Sequence, residues 1–382
     1  MKVSGAWLHD PAAQAVFALL EGGGFQAFAV GGCVRNEILG MPVQDVDFAT
    51  NARPDQVLTL AKKAGLAAVP TGIEHGTITL VCGGTGFEVT TFRKDIKTDG
   101  RRAVVAFADT LSEDARRRDF TMNALYARAD GTVIDPLGGL ADIRAQRVRF
   151  IDDANERIRE DYLRILRFFR FHAWYGDPDG GFDADALAAC AAEAEGLELL
   201  SKERIGAEFG KLLSAPDPAP SVAVMGRSGI LARILPGADA AALAVLVHLE
   251  GETATQPDNI RRLAVLGGQD QATNLRLSRA DQKRLQLYLT EIGSGKGLAE
   301  LAYRHGADTA RDVVLLRAAM QCAGLPSDLA EAAKIAADRQ FPVRAADLMD
   351  RYQGAALGAK LKSLEKRWID SGFTLTRAEL LA

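Results

Sequence analysis

The sequence predicts an α+β chain, with a mixed head over residues 1–137 followed by helices alone. Three observations carry that prediction. Short apolar runs of strand type recur through the first ninety or so positions, at Phe28-Ala29-Val30, around Val46, at Thr77 to Val81 and at Phe87 to Thr91. Strong strand signals nearly stop after Asp152. Between the two regimes stands Asp135-Pro136-Leu137-Gly138-Gly139, a cluster of turn formers that reads as a hinge.

Within the head, helices are expected near Pro11 to Leu20, from Pro54 and from Ser112, alternating with the strands. The polar, turn-rich stretch Arg93 to Ala108, with Asp99-Gly100-Arg101-Arg102, reads as a mobile loop. Beyond the hinge, residues 138–215 form a helical neck in which Ser201 caps a helix over Ile205 to Leu213. Residues 216–382 are Ala- and Leu-rich helical segments, broken at Pro216-Asp217-Pro218-Ala219-Pro220 and at Leu235-Pro236-Gly237, and make a body and tail.

Composition sets bounds on function. The chain has 382 residues, 48% apolar and 25% charged, enough for two or more cores. No run of 18 apolar residues suggests a membrane span, and the first residues lack the basic-then-apolar pattern of a signal peptide, so a cytoplasmic protein is expected. Cys33, Cys82, Cys190 and Cys322 are scattered, which argues against a zinc knuckle and a disulfide framework. The net charge of −4 does not suit indiscriminate nucleic-acid binding. Arginines nevertheless gather at 101–102, at 116–118, at 144, 147 and 149, and along the segment from Ile158, and such a patch suits either a nucleic-acid end or a triphosphate.

The chemistry starts at Asp45-Val46-Asp47. Residues i and i+2 of a strand share a face, so the two carboxylates would stand side by side while Val46 and Phe48 turn to the core. Such a pair calls for a cation, and carboxylate oxygens with substrate phosphates suit Mg²⁺. Two metals about 3.5 to 4 Å apart clamp the attacking and leaving oxygens in phosphoryl displacement. Glu88, in the alternating segment Phe87 to Arg93, is the candidate third carboxylate. Upstream, Gly31-Gly32 follows the apolar run and precedes a helix starting at Val34, which makes a phosphate cradle to which Arg35 adds a charged fork.

Taken in order, these blocks resemble a known family. They are Val30 to Arg35, Asp45 to Thr50, Gly72-Ile73-Glu74-His75-Gly76, Glu88 to Arg93, Arg117-Arg118-Asp119-Phe120-Thr121 with Asn123, Asp135 to Gly139, Glu160-Asp161 through Arg170, and Ser201 to Ile205 with Glu208. They look like the bacterial class II tRNA nucleotidyltransferases, the CCA-adding enzymes and their poly(A) polymerase relatives, over about the first 215 residues. The resemblance implies a DNA polymerase beta-like nucleotidyltransferase head, tRNA as partner, and ATP and CTP as substrates. It implies no membrane, and the sequence sets no oligomeric state. One departure is Asn36, where the family commonly has Asp.

From Ile158 to Phe171 the chain reads as one helix, with an apolar stripe of Ile158, Tyr162, Ile165, Leu166 and Phe169. Asp161, Arg164, Arg167 and Arg170 recur every three residues along it. Asp161 and Arg164, one turn apart, can present an acceptor and a donor fork. Cytosine and adenine each carry an amino group beside a ring nitrogen and fit that pair, whereas guanine and uracil turn a carbonyl toward the carboxylate. In the family the matching residues act as the template for the incoming base. The resemblance further implies that Gly32, Arg35, Arg118, Arg167 and Arg170 contact the nucleotide and that Asp119 holds the ribose. An Arg118 to Asp161 contact would orient the carboxylate, and the 93–108 loop would couple base choice to catalysis. The expected activity is addition of CMP, CMP and AMP to a tRNA 3′ end, with poly(A) synthesis, CC-only addition or a noncatalytic RNA-binding module as the alternatives.

Overall fold

The computed structural model describes residues 1–99 and 102–382, with side chains described outside 95–105. The chain divides into two compact units, residues 1–238 with 269–276, and residues 239–268 with 277–382. The expected boundary near 137 falls inside the first unit, and the one near 215 precedes its end.

The first unit opens with α1 (Ala6–His9) and α2 (Pro11–Gly22), the latter capped by the Asp10 carboxylate with Pro11 in its first turn. There follow β1 (Ala27–Val30), α3 (Gly32–Ile38), β2 (Asp47–Thr50), α4 (Pro54–Lys63) and β3 (Ala67–Gly72), then β4 (Thr77–Cys82) and β5 (Thr85–Thr91). The pair β6 (Arg93–Asp99) and β7 (Arg102–Phe107) precedes α5 (Leu111–Arg116), β8 (Tyr126–Ala127) and β9 (Val133–Ile134). Seven strands make one sheet in the order β3-β4-β5-β2-β1-β8-β9, and β6 with β7 forms a separate antiparallel ribbon. The central strands β1 and β2 are antiparallel, with Val30 opposite Asp47, while β2 runs parallel to β5 with Phe48 opposite Val89. Phe28, Val30, Ala49, Phe92 and Tyr126 pack as the core behind these strands, and Phe48 meets Phe17 and Phe87 edge-on.

Three expectations change here. The stretch 93–107 is a paired ribbon, because its backbone groups find partners in the β6–β7 ladder; Gly100 and Arg101 lie outside the described residues. Strand β2 begins only at Asp47, so Asp45 sits in the extended approach to the strand. Strand β3 went unread because it is an exposed edge with no alternating pattern to mark it.

After the sheet the first unit is helical: α6 (Gly139–Arg144), α7 (Ala154–Glu160), α8 (Leu163–Tyr175), α9 (Ala184–Ala192), α10 (Lys202–Leu213), α11 (Ala219–Arg227) and α12 (Ile230–Ile234). The Asp135 carboxylate accepts from the Gly139 and Leu140 amides and so caps α6. Ser201 caps α10 as expected, the helix starting at Lys202. The single helix expected over 158–171 is two, because Asp161 adopts extended dihedrals (φ −155°, ψ 105°) between α7 and α8. Apolar periodicity carries through such a break, so spacing alone does not reveal it.

The second unit holds α13 (Ala241–Glu252) and α14 (Asn259–Leu266); the short α15 (Gln271–Asn274) belongs to the first unit. Then come α16 (Arg279–Ile292), α17 (Leu298–His305), α18 (Ala307–Gln321), α19 (Leu329–Ala337), α20 (Gly354–Asp370) and α21 (Arg377–Leu381). No helix among the described residues is long and apolar enough to cross a membrane. Two arginines are buried outright in this unit. Arg261 Nε and Arg262 Nε donate to the two oxygens of Glu250 at 2.8 and 2.9 Å, and Arg261 also reaches Asp312 at 2.7 Å. Removing one partner of such a network strands a charge away from water. Glu250→Ala is therefore expected to cost about 3–5 kcal/mol of the second unit's stability, read as a lowered urea midpoint.

Candidate nucleotide-binding site

Two strand ends, of β1 and β2, and two helices, α3 and α8, converge on one cavity of about 420 Å³. Its lining includes Gly31 and Gly32 at the end of β1, Asp47 at the start of β2, Arg118 and Asp119 after α5, and Asp161, Arg164, Arg167 and Arg170 around α8. The structure thus gathers most of the expected residues in one place. Asp45 and Glu88 are not among the lining residues.

The turn is built for close approach. Gly31 has φ +74°, where an L side chain is strained, and a Cβ there would stand 3.5 Å from an Arg118 guanidinium nitrogen. Cys33, beside it, is buried with its thiol pushed up to about 12 by that burial and then by the Asp47 charge, which suits a packed side chain. Asp47 and Glu88 each stand one residue before the paired Phe48 and Val89, and both are exposed. The Asp47 carboxyl is raised above its ordinary value, by burial first and then by Glu88, with Asp45 adding to it and Arg118 opposing. None of the three carboxylates has an ion-pair partner among the described residues, so a cation would relieve their repulsion. Among the described residues no three His, Cys, Asp or Glu side chains form a ready ligand set, and the Glu88 charge acts on Asp47.

Six arginines line the cavity against three aspartates, and most are tied to carboxylates. Arg117 Nε and Arg118 Nη2 donate to the two oxygens of the fully buried Asp114, at 2.8 and 3.1 Å, and the Tyr126 hydroxyl donates to the same group. Burial would raise the Asp114 carboxyl, but Arg118 and Arg117 outweigh it and hold the group well below the carboxylate range. Asp119 accepts from Arg167 at 2.7 Å, from Asn123 and from the Phe120 amide; burial opposes and Arg167 prevails, so it too lies well below that range. Arg170 pairs with Glu208. Arg164 donates to Glu160 at 2.6 Å and to the carbonyls of Arg157 and Arg117. Arg35 differs: its polar partners are the neutral Asn36, Asn123 and Tyr175 hydroxyl, and burial lowers its pKa. Asn36 thus keeps a contact to Arg35 without a counter-charge.

The expected Arg118 to Asp161 contact is replaced. Asp161 Oδ2 accepts from Arg204 on α10 at 2.7 Å and its Oδ1 from the Leu163 amide, while Arg118 is held by Asp114. Asp161 and Arg164 both line the cavity, but across the α7–α8 break. Sequence reading missed Asp114 and Tyr175, and quoted Asn123, Phe171 and Arg204 within its blocks without giving them a role. Asp114 sits four residues before Arg118, an i,i+4 spacing that signals the pair; the others act across long sequence separations that no local pattern reports.

A mixed sheet whose strand ends carry an aspartate, a glycine turn and an arginine-rich wall defines a nucleotidyltransferase-type head. Residues 27–149 match the family model described as Poly A polymerase head domain, and residues 181–242 match that of the Probable RNA and SrmB- binding site of polymerase A. Over these stretches the chain is similar to the tRNA nucleotidyltransferase and poly(A) polymerase family. It is 45% identical over 185 residues to the mouse CCA tRNA nucleotidyltransferase 1, mitochondrial, covering 48% of this chain and 43% of that one. It is 42% identical over 208 residues to the CCA-adding enzyme of Lacticaseibacillus paracasei, covering 54% and 50%. The matched stretch therefore spans about half the length of these curated relatives or less. Among solved structures, the Bacillus stearothermophilus CCA-adding enzyme in complex with CTP superposes with a TM-score of 0.72 at 26% identity, covering 94% of this chain and 93% of that one. The Thermotoga maritima CCA-adding enzyme complexed with tRNA, at 18% identity and TM-score 0.67 over 96% and 92%, shares the fold.

The depressed Asp114 carboxyl sets a pH dependence. Its contribution to stability is present above the unfolded value of about 3.9 and is lost as pH falls below it. Between pH 7 and pH 3, Asp114→Asn is expected to lose about 1 kcal/mol less stability than the parent chain, as measured by urea unfolding at the two pH values.

Proposed function

We propose that this protein adds CMP, CMP and AMP to the 3′ end of tRNA from CTP and ATP, without a nucleic-acid template, releasing pyrophosphate at each step. The observation that carries the reading is the single cavity in which the glycine turn, Asp47 and the arginines of α8 meet with an excess of positive charge. A nucleoside triphosphate needs all three: amides and guanidinium groups for the phosphates, a carboxylate edge for a metal, and a polar pair for the base. The likeness to relatives named for CCA addition points the same way.

In this reading Asp45 and Asp47 hold Mg²⁺, with the charge of Glu88 beside them. When bound, the metal supplies positive charge at the phosphoryl oxygens and lowers the pKa of the attacking 3′ hydroxyl. Gly32, Arg35 and Arg118 hold the triphosphate and stabilise charge developing on the leaving pyrophosphate. Asp119, already fixed by Arg167 and Asn123, orients the ribose. Asp161 accepts the base amino group and Arg164 donates to its ring, with Arg167 and Arg170 completing the wall. Residues 1–137 act as catalytic head, 138–215 as the neck that chooses the base, and 216–382 as body and tail for tRNA, in the cytoplasm.

Purified protein incubated with tRNA ending at the discriminator base, Mg²⁺, CTP and ATP is expected to give ends reading CCA and to stop there. Long A tracts would instead mark a poly(A) polymerase, and arrest at CC a CC-adding enzyme. Asp45→Ala or Asp47→Ala is expected to lower transfer by at least about 10³-fold with the circular dichroism spectrum unchanged. Asp161→Ala is expected to admit GTP or UTP while tight Mg²⁺ dependence persists; selectivity equal to the parent's would remove Asp161 from base choice.

A further inference from the structure

At the floor of the cavity one ring is surrounded by three guanidinium groups. The Phe171 centroid lies 5.2 Å from Arg35, 5.3 Å from Arg167 and 4.6 Å from Arg170. Phe171 is buried, and its own position is fixed by Phe120 at 4.8 Å and Tyr175 at 5.3 Å between ring centroids. Like charges so gathered repel, and the carboxylates relieve only part of the repulsion. Asp119 neutralises Arg167 and Glu208 neutralises Arg170, but Arg35 has neutral polar partners. An aromatic ring carries negative charge density on its faces and attracts cations within about 6 Å, with no formal charge of its own to cancel them. A further carboxylate in the same place would tie up Arg35 as well; a ring assembles the three and leaves the Arg35 charge for an anion.

We propose that Phe171 is a positioning residue that clusters Arg35, Arg167 and Arg170 through its ring faces into a pre-formed polyphosphate grip. This inference rests on the reading of the cavity as a nucleoside triphosphate site. It concerns the phosphates and not the base, so it separates affinity from selectivity: a weaker ring loosens CTP and ATP alike and leaves the choice between them to Asp161 and Arg164.

The test uses the full chain with mono-, di- and trifluorinated phenylalanine at position 171, side chains close to phenylalanine in size whose ring faces are progressively less negative. Binding of inorganic tripolyphosphate in Mg²⁺ is measured by calorimetry, and KM for CTP and ATP on tRNA lacking its terminal CCA is measured alongside. Tripolyphosphate affinity is expected to fall stepwise to about tenfold below the parent. KM for CTP and for ATP rises in parallel, while the ratio of C to A addition and the thermal midpoint hold. Phe171→Leu, which removes the ring, is expected to weaken tripolyphosphate at least as much as the trifluorinated side chain. Affinity that does not follow fluorination, a thermal midpoint that falls in its place, or a parent chain that does not bind tripolyphosphate overturns the proposal. Ring-dependent tripolyphosphate binding by a protein that adds no nucleotide supports the grip and sinks the transferase reading.

Discussion

Pairing of guanidinium groups with buried carboxylates is the interaction on which the rest of this molecule depends. A cavity lined by six arginines would fly apart electrostatically or fill with counter-ions if its walls offered nothing in return. Asp114 and Asp119 supply that return from beneath the surface, each held well below the usual carboxylate range and each accepting several hydrogen bonds at once. Desolvating such carboxylates is costly, and only multiple charge-assisted bonds make it tolerable. The acceptors keep the forks directed, and with six arginines against three aspartates in its lining the cavity keeps its positive excess. The second unit shows the same pairing carried to completion: Arg261, Arg262, Glu250 and Asp312 are all buried and mutually satisfied. A network closed in that way organises a core and leaves no charge for a ligand.

The sheet converts this electrostatic arrangement into a site. Antiparallel pairing sets Val30 opposite Asp47, so the end of β1, where the chain turns at Gly31, lies against the start of β2. Parallel pairing of β2 with β5 then sets Glu88 in register with Asp47. Burial raises the Asp47 carboxyl most, and the Glu88 charge that the second register sets beside it raises it further. Carboxylates held together with no ion-pair partner are a poor choice for stability, and a conflict of that kind between local chemistry and packing is what a functional position would show.

Much of this was legible in the sequence because it is local. Strand runs at Phe28 and Phe87, the glycine turn and the Asp45-Val46-Asp47 pair each declare themselves within a few residues, and the Arg117-Arg118-Asp119 block lies on the cavity as expected. What stayed hidden depends on where the chain returns. Asn123 joins Arg35 to Asp119 across 88 residues, Tyr175 meets Arg35 across 140, and Arg204 reaches Asp161 across 43. Asn123 and Arg204 stand inside blocks the sequence does single out, but nothing local tells which distant group each of the three meets. The ribbon of β6 and β7 was hidden for a different reason, since its polar composition reads as loop while its backbone is satisfied strand to strand.

The break at Asp161 shows how a departure from regularity can serve recognition. On an unbroken helix, Asp161 and Arg164 would lie on one face as an i,i+3 pair and could satisfy each other. Extended dihedrals at Asp161 remove it from the helical register, and its two oxygens are taken up by the Leu163 amide and by Arg204 instead. Arg164 is likewise held by Glu160 and by two main-chain carbonyls. Each member of the pair is anchored by a partner of its own, so neither must be pulled from the other before a base can engage both. Polar groups fixed in this way have already lost their conformational freedom, which lowers the entropic cost of binding and makes a mismatched donor or acceptor expensive. If Asp161 and Arg164 read the base, as proposed, the distortion that defeats a simple helical reading of residues 158–171 is the feature that holds the pair ready to discriminate.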